Sequence, residues 1–265
     1  MAGVWAVAMM RDEADVAEAC VTHMAGQGVD GIVVADNLSS DGTGDMLRDL
    51  AGDLVSPLVV VDDPEPGYFQ SEKMTRLAGL AADRAGGDVW IVPFDADELW
   101  VAPDRRTPVA DVLRSERGRV VAAAIYNHYP TGADDPTVLD PFRRMAWRDT
   151  GPLPLHKVAA RWAPSLVIGQ GNHSASYEDD PGPEPRVGLE VHHFPYRTPE
   201  QIHRKVRNGA AAYAATDLPR HMGLHWRELG ETLERHGEGA LDAHMDRWFR
   251  FDNPQESHMV HDPIV

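Results

Sequence analysis

The chain has 265 residues, 43% of them hydrophobic and 25% charged, with a formal net charge of -17. That length and mix describe a folded globular protein long enough for one substantial core, expected as a single α/β domain with two small lobes sharing a cleft as the alternative, and exclude a disordered segment. The negative charge repels phosphate backbones and argues against a general nucleic-acid binder, so an anionic ligand needs a local counter-charge: a metal ion, a helix N-terminus or a small Arg/Lys group.

No apolar run approaches the roughly 20 residues of a membrane span, so no transmembrane segment is expected. The opening "MAGVWAVAMMRDE" has neither a basic leader nor a cleavage pattern, and the expectation is a cytoplasmic protein. Cys20 is the single cysteine, which excludes an internal disulfide and a cysteine-rich zinc site.

In chain order, "VWAVAMM" reads as a buried strand. The following "RDEADVAEACVTHMAGQG" has Val16, Ala19, Cys20 and His23 at helical spacing, with Asp12 and Asp15 placed as an acidic N-terminal cap. "GIVVAD" is a second strand, "NLSSDGTG" a turn-rich loop, "DMLRDLAG" a short helix and "LVVVDD" a third strand. The helix "SEKMTRLAGLAADRAGG" leads into the strand "VWIVPF". Strands alternating with helices predict an α/β fold with a mostly parallel, Rossmann-like sheet flanked by helices.

Past Trp100 the rhythm breaks. A short helix "VADVLRSER" and a strand "RVVAAAIYN" precede "YPTGADDPTVLDPF", a passage without periodicity of the kind that covers a site. Short strands around "HKVAARW" and "LVIG", a loop "EDDPGPEP" and the strand "RVGLEVHHF" predict a mixed second half. "EQIHRKVRNGAAAYAA" and "HWRELGETLERHGEGALDAHMDRWFRF" predict C-terminal helices.

The stretch "WIVPFDADELW" ends an apolar run in Asp95, Asp97 and Glu98. On an extended backbone residues two apart point the same way, so Asp95 and Asp97 are expected to present both carboxylates to one cation. Hard oxygen ligands without cysteine favour Mg²⁺ or Mn²⁺, and a histidine ligand favours Mn²⁺. Open α/β sheets bind ligands outside the carboxyl ends of their strands, where this cluster falls. A capped or solvated acidic turn is the alternative.

Taken together and in order, "MMRDEA", "ADNLSSDGT" and "PFDADE" resemble a GT-A type glycosyltransferase of family 2 and its relatives, with a fainter continuation toward "HHFPYRTPEQIHRKVRNG". The resemblance covers roughly the first hundred residues and implies three consecutive parts of one globular unit. These are a nucleotide-sugar-binding half over 1–100, an acceptor-side half over 101–198 and a C-terminal helical segment over 199–265. It further implies that Met9, Met10, Asp12 and Asp36 hold the nucleoside. Asp95 and Asp97 would hold Mn²⁺ or Mg²⁺ against the diphosphate of a nucleoside-diphosphate sugar, with Asp97 the more direct ligand.

A late histidine often completes such a metal shell; His173 in "GQGNHSAS" is preferred and His193 in "EVHHFPYR" is the alternate. Lys73, Arg76, Arg197 and Lys205 are candidates for the nucleotide and its departing diphosphate, against the alternative of a solvated basic face. Asp134 and Asp135 are the nearest candidates for a general base, against the alternative of an acidic surface turn. Trp100 either stacks on an acceptor sugar or fills the core. The implied function is a metal-dependent transfer of a sugar to an acceptor hydroxyl. The alternatives are a non-catalytic nucleotide-sugar binder and a nucleotidyltransferase, although "AVAMMRDEA" lacks the glycines that open the latter.

Overall fold

A computed structural model describes residues 2–178, 186–255, 257 and 259–264. Residues 179–185, within the expected loop "EDDPGPEP", lie outside the described residues. By contact the chain divides into two compact units, Met1–Pro64 with Gln70–Tyr126 and Gly151–His193, and Glu65–Phe69 with Asn127–Thr150 and Phe194–Val265.

The first unit begins as the alternation predicts: β1 (Gly3–Met10), α1 (Ala17–Gly26), β2 (Gly31–Asp36), α2 (Thr43–Leu50), β3 (Leu58–Asp62), α3 (Gln70–Ala85) and β4 (Val89–Pro93). It continues through β5 (Glu98–Val101), α4 (Val109–Ser115) and β6 (Val120–Asn127). The chain crosses the second unit through α5 (Pro141–Arg144) and β7 (Trp147–Arg148). It returns as β8 (His156–Arg161), β9 (Val167–Ile168), a 3₁₀ turn (Gln170–Asn172), β10 (Ala175–Ser176) and β11 (Arg186–His193). The second unit then takes α6 (Pro199–Ala214), α7 (Leu224–His236), α8 (Glu238–Trp248) and β12 (Val260–His261).

Eight strands form one sheet in the order β3-β2-β1-β4-β8-β6-β11-β5. The pairings β3/β2, β2/β1 and β1/β4 are parallel, the Rossmann-like half expected from the sequence. The pairings of β4 and β6 with β8, and of β11 with β5, are antiparallel and make the mixed half. The sheet face is set by alternation: Trp5, Val7, Val33, Ala35, Val89 and Ile91 pack against Met74, Leu77, Ala78, Ala81 and Ala82, the apolar stripe of α3. α1 packs against β2 and β5. Gly31 is the register partner of Trp5, and a Cβ there would come within 2.6 Å of the indole.

Three expectations are corrected. The first helix starts at Ala17 and not at the Asp12–Asp15 cap. Asp12 instead takes a left-handed backbone (φ 54°) and turns its carboxylate to another loop. "DELW", expected as the tail of the carboxylate run, is the strand β5, recruited by antiparallel pairing with β11. The last helical stretch is two helices, broken at Gly237 (φ 75°), a backbone that L side chains rarely adopt.

In the second unit, Ile202 and Val206 of α6 pack with Leu241 and Met245 of α8. Thr198 caps α6 by accepting from Gln201 N at 3.2 Å, with Pro199 at the first helical position.

Candidate functional site

Because β1 to β4 run parallel, their carboxyl ends lie together, with Met10 beside Asp36 and Asp36 beside Asp62 in register. The chain steps outward from β1 to β2 and β3, then returns to β4 on the other side of β1. The strand order therefore reverses between β1 and β4, the crevice where open α/β sheets take their ligands. Arg11 follows β1 at this point, and Phe94 to Glu98 follow β4.

The loop after β1 is bound to the loop after β2. Asp12 accepts from Ser40 N at 2.6 Å and Ser40 Oγ at 3.1 Å, Glu13 N donates to Thr43 Oγ1 at 2.9 Å, and Ala14 N donates to Asp41 Oδ2 at 3.1 Å. Asp12 is thus engaged in shaping the rim. Met10 is buried and its carbonyl accepts from Asn37 N at 2.8 Å, while Met9 packs on the core with Val7 and Val33. Asp36 accepts from Ser39 N at 3.2 Å and lies 3.7 Å from Arg48. Its carboxylate rests over Gly44, where a Cβ would stand 2.0 Å from Asp36 Oδ2.

Lys73 and Arg76 both turn to Asp63, which sequence reasoning missed: Lys73 Nζ is 2.7 Å and Arg76 3.8 Å from its carboxylate. Asn37 Nδ2 donates to the same carboxylate at 3.0 Å.

Asp95 and Asp97 are not on an extended backbone. Glu98 N donates to Asp95 O at 3.1 Å and Asp95 N donates to Glu98 Oε2 at 3.1 Å, so the segment is a tight turn that gives its two aspartates different partners. Antiparallel pairing with β4 brings the start of β8 alongside this turn, and there Lys157 places Nζ 2.6 Å from Asp95 Oδ2 and 2.7 Å from Glu98 Oε1. Asp95 Oδ1 accepts from Asn172 Nδ2 at 3.2 Å and Gln70 Nε2 at 3.5 Å. Both oxygens of Asp95 are therefore engaged. Cys20, in α1, donates its thiol to Glu98 O at 3.2 Å and fixes the turn from behind.

Burial drives the Glu98 carboxyl up to about 7, against the pull of the Lys157 ammonium and with the help of the Asp95 charge. Burial opposes the charge on Lys157, but Asp95 and Glu98 outweigh it and raise the ammonium's pKa. Between about pH 4.5 and 7 folded Glu98 holds a proton that the unfolded chain has released, so this group makes stability fall as pH rises through that window. Unfolding titrations from pH 4.5 to 8 are expected to show a steeper decline for wild type than for Glu98→Gln; parallel curves would contradict the assignment.

Asp97 is buried, and the pairing of His193 with Glu98 across β11 and β5 sets His193 Nε2 3.6 Å from Asp97 Oδ2. His173 follows Asn172, the residue that donates to Asp95, and is close enough to Asp95 and Lys157 to feel both charges. Its Nδ1 hydrogen-bonds to His156 O at 2.8 Å, and burial followed by the Lys157 charge lowers its pKa. As the donor in that bond, Nδ1 leaves Nε2 as the acceptor of a neutral ring. The adjacent Asn172 is fully buried, with Oδ1 unpartnered.

His173 fits because Gly171 has no side chain: a Cβ at this left-handed residue (φ 69°) would stand 2.4 Å from the imidazole. Gly171→Ala is expected to lose at least about 1 kcal/mol of stability, a fall in Tm of roughly 2–4 °C by thermal unfolding; an unchanged Tm would contradict the packing.

Among the described residues no three His, Cys, Asp or Glu side chains gather closely enough to hold a metal by themselves. Asp97 and His193, with Oδ2 and Nε2 3.6 Å apart, form one edge of oxygen and nitrogen atoms. Mg²⁺ and similar hard cations are often held by one or two carboxylates and completed by substrate phosphates, so this edge fits a cation that arrives with a diphosphate and not a closed protein cage.

Trp100 is fully buried and fills the core. The remaining predicted residues belong to the second unit. Arg197 is buried, donating from Nη1 to Phe194 O at 3.0 Å, and Lys205 Nζ donates to Pro195 O at 3.4 Å. Asp134 accepts from Thr131 Oγ1 at 2.7 Å and burial raises its carboxyl pKa. Asp135 accepts from Thr137 Oγ1 at 2.7 Å and these turn bonds lower its own.

No helix among the described residues is long and apolar enough to cross a membrane. No family model matches the sequence, and no curated protein matches it. Among solved structures the chain is similar to S. aureus TarS 1–349, with a TM-score of 0.40 and 12% identity over 88% of this chain and 72% of that one. It is similar to the same protein in complex with UDP, with a TM-score of 0.38 and 11% identity over the same shares. It is also similar to a Bacillus anthracis protein assigned as a glucose-1-phosphate thymidylyltransferase, with a TM-score of 0.36 and 9% identity over 95% of this chain and 86% of that one. Likenesses of this size carry no functional assignment.

Proposed function

We propose that the chain is a metal-dependent glycosyltransferase that binds a nucleoside-diphosphate sugar at the carboxyl ends of β1 to β4 and transfers the sugar to an acceptor hydroxyl. The observation that carries this reading is the position of the "DADE" turn at the β1/β4 crevice, with Asp97 beside His193 at 3.6 Å. The order of "MMRDEA", "ADNLSSDGT" and "PFDADE" along the sequence supports it independently.

In this reading the Asp36 carboxylate, held over Gly44, accepts the hydroxyls or N–H groups of the nucleoside. Asp97 and His193 hold Mn²⁺ or Mg²⁺. When bound, the cation neutralises the charge that develops on the departing diphosphate. Lys157, by pairing with Asp95 and Glu98, cancels part of the turn's own negative charge and fixes the backbone that presents Asp97.

The test is release of nucleoside diphosphate from UDP-, GDP-, dTDP- and CDP-sugars, with Mn²⁺ and with chelator. Release from one nucleotide class that requires the cation supports the proposal. Cation-dependent binding without any release, even over long incubation, would favour a non-catalytic nucleotide-sugar binder.

A further inference from the structure

Among the described residues, the basic side chains around the strand ends are, with one exception, already spent on carboxylates. Lys73 and Arg76 face Asp63 at 2.7 and 3.8 Å, Arg48 faces Asp62 at 2.5 Å, and Lys157 faces Asp95 and Glu98 at 2.6 and 2.7 Å. The exception is Arg11. It is the residue that leaves β1 at the β1/β4 crevice, and its side chain has no hydrogen bond or ion pair to any described residue. Its Nε is buried without an acceptor.

That arrangement is unusual in a chain with 42 acidic and 25 basic residues, where a carboxylate partner is easy to supply. A buried guanidinium N–H without an acceptor is unfavourable, and Arg11 differs from Arg161, whose Nε is also buried without an acceptor but whose other nitrogens reach Asp88 and Glu116 O, in having no side-chain bond from any nitrogen to a described residue. The planar guanidinium matches a phosphate with two parallel N–H···O bonds and keeps its charge at any physiological pH. Its position outside the carboxyl end of β1 is where an anionic ligand of an open sheet sits.

We infer that Arg11 is the anion receptor of this crevice and binds the diphosphate of the nucleotide ligand. This inference rests on the proposed nucleotide-sugar site and adds to it a fixed organic counter-charge in an otherwise acidic protein. Arg11 acts in binding the leaving group, separately from the cation edge at Asp97 and His193.

The test is calorimetric titration of wild type, Arg11→Met and Arg11→Lys with UDP, GDP, dTDP and CDP, with the matching nucleosides, and with inorganic diphosphate. The expected result is at least a tenfold loss of nucleoside diphosphate affinity in Arg11→Met, an unchanged nucleoside affinity, and an intermediate value in Arg11→Lys. Equal nucleoside diphosphate affinity in all three proteins would overturn the role of Arg11 and leave the nucleotide site standing. Parallel loss of nucleoside and nucleoside diphosphate would also overturn it, as the mark of a structural residue. Arg11-dependent binding of inorganic diphosphate with no binding of any nucleotide would keep the anion site and overturn the nucleotide-sugar reading. No binding of any probe to wild type would overturn both.

Discussion

Replacing Lys157 by methionine is expected to destabilise the folded protein by about 3–5 kcal/mol, the usual effect of leaving a buried charge without its partner. Methionine keeps the length of the stem as far as Cε, with sulfur in place of one methylene, and lacks the ammonium. It leaves Asp95 and Glu98 next to each other at the turn, one of them wholly buried, with no cation between them. Glu98 can relieve part of the penalty by holding its proton, so the loss is expected to be larger at pH 8 than at pH 6. The double variant Lys157→Met with Glu98→Gln should recover part of the difference, because the second change removes one stranded charge. Denaturant unfolding of the single and double variants measures this; a loss below about 1 kcal/mol in Lys157→Met would show that the triad is not the frame of the turn.

The two aspartates of "DAD" are expected to fail in different ways. Asp97→Asn keeps the shape of a buried side chain and removes the charge beside His193, so it should abolish Mn²⁺-dependent nucleotide binding while the protein stays folded. Asp95→Asn breaks the bond to Lys157 and disturbs the amide contacts to Asn172 and Gln70, so its first effect should be on stability. Tm and nucleotide affinity measured on both variants separate the roles. Equal loss of binding, with equal Tm, would mean that both carboxylates face the cation.

The parallel half of the sheet is legible because each strand is a short apolar run closed by turn residues, and each helix carries its own stripe, as Met74, Leu77, Ala78 and Ala81 do in α3. Capping and pairing depend on distant residues and are not legible in the same way. Asp12 is placed where a helix cap belongs, yet Ser40 competes for its carboxylate and wins. The reversal at Asp95 depends on β5 pairing with β11, some ninety residues later, and no local pattern at "DADELW" announces it.

Lys157 left a trace in the sequence, a charged residue inside the buried run "HKVAA", and a buried strand tolerates a lysine only where a carboxylate meets it. That signal identifies the residue without identifying its partners, which lie 59 and 62 positions earlier. Arg11 and Asn172 give no such trace. Their significance is the absence of a partner for Nε and Oδ1, which only the folded arrangement reveals.

The most direct test of the central claim is a thermal-shift panel of UDP-, GDP-, dTDP- and CDP-sugars, each with Mn²⁺ and with chelator, on wild type and Asp97→Asn. A ligand that binds only the folded state raises Tm in proportion to the logarithm of its excess over Kd. A rise is expected with one nucleotide class, requiring Mn²⁺ and vanishing in Asp97→Asn. A panel with no shift on folded protein, or a shift that is the same with chelator and in Asp97→Asn, would contradict it.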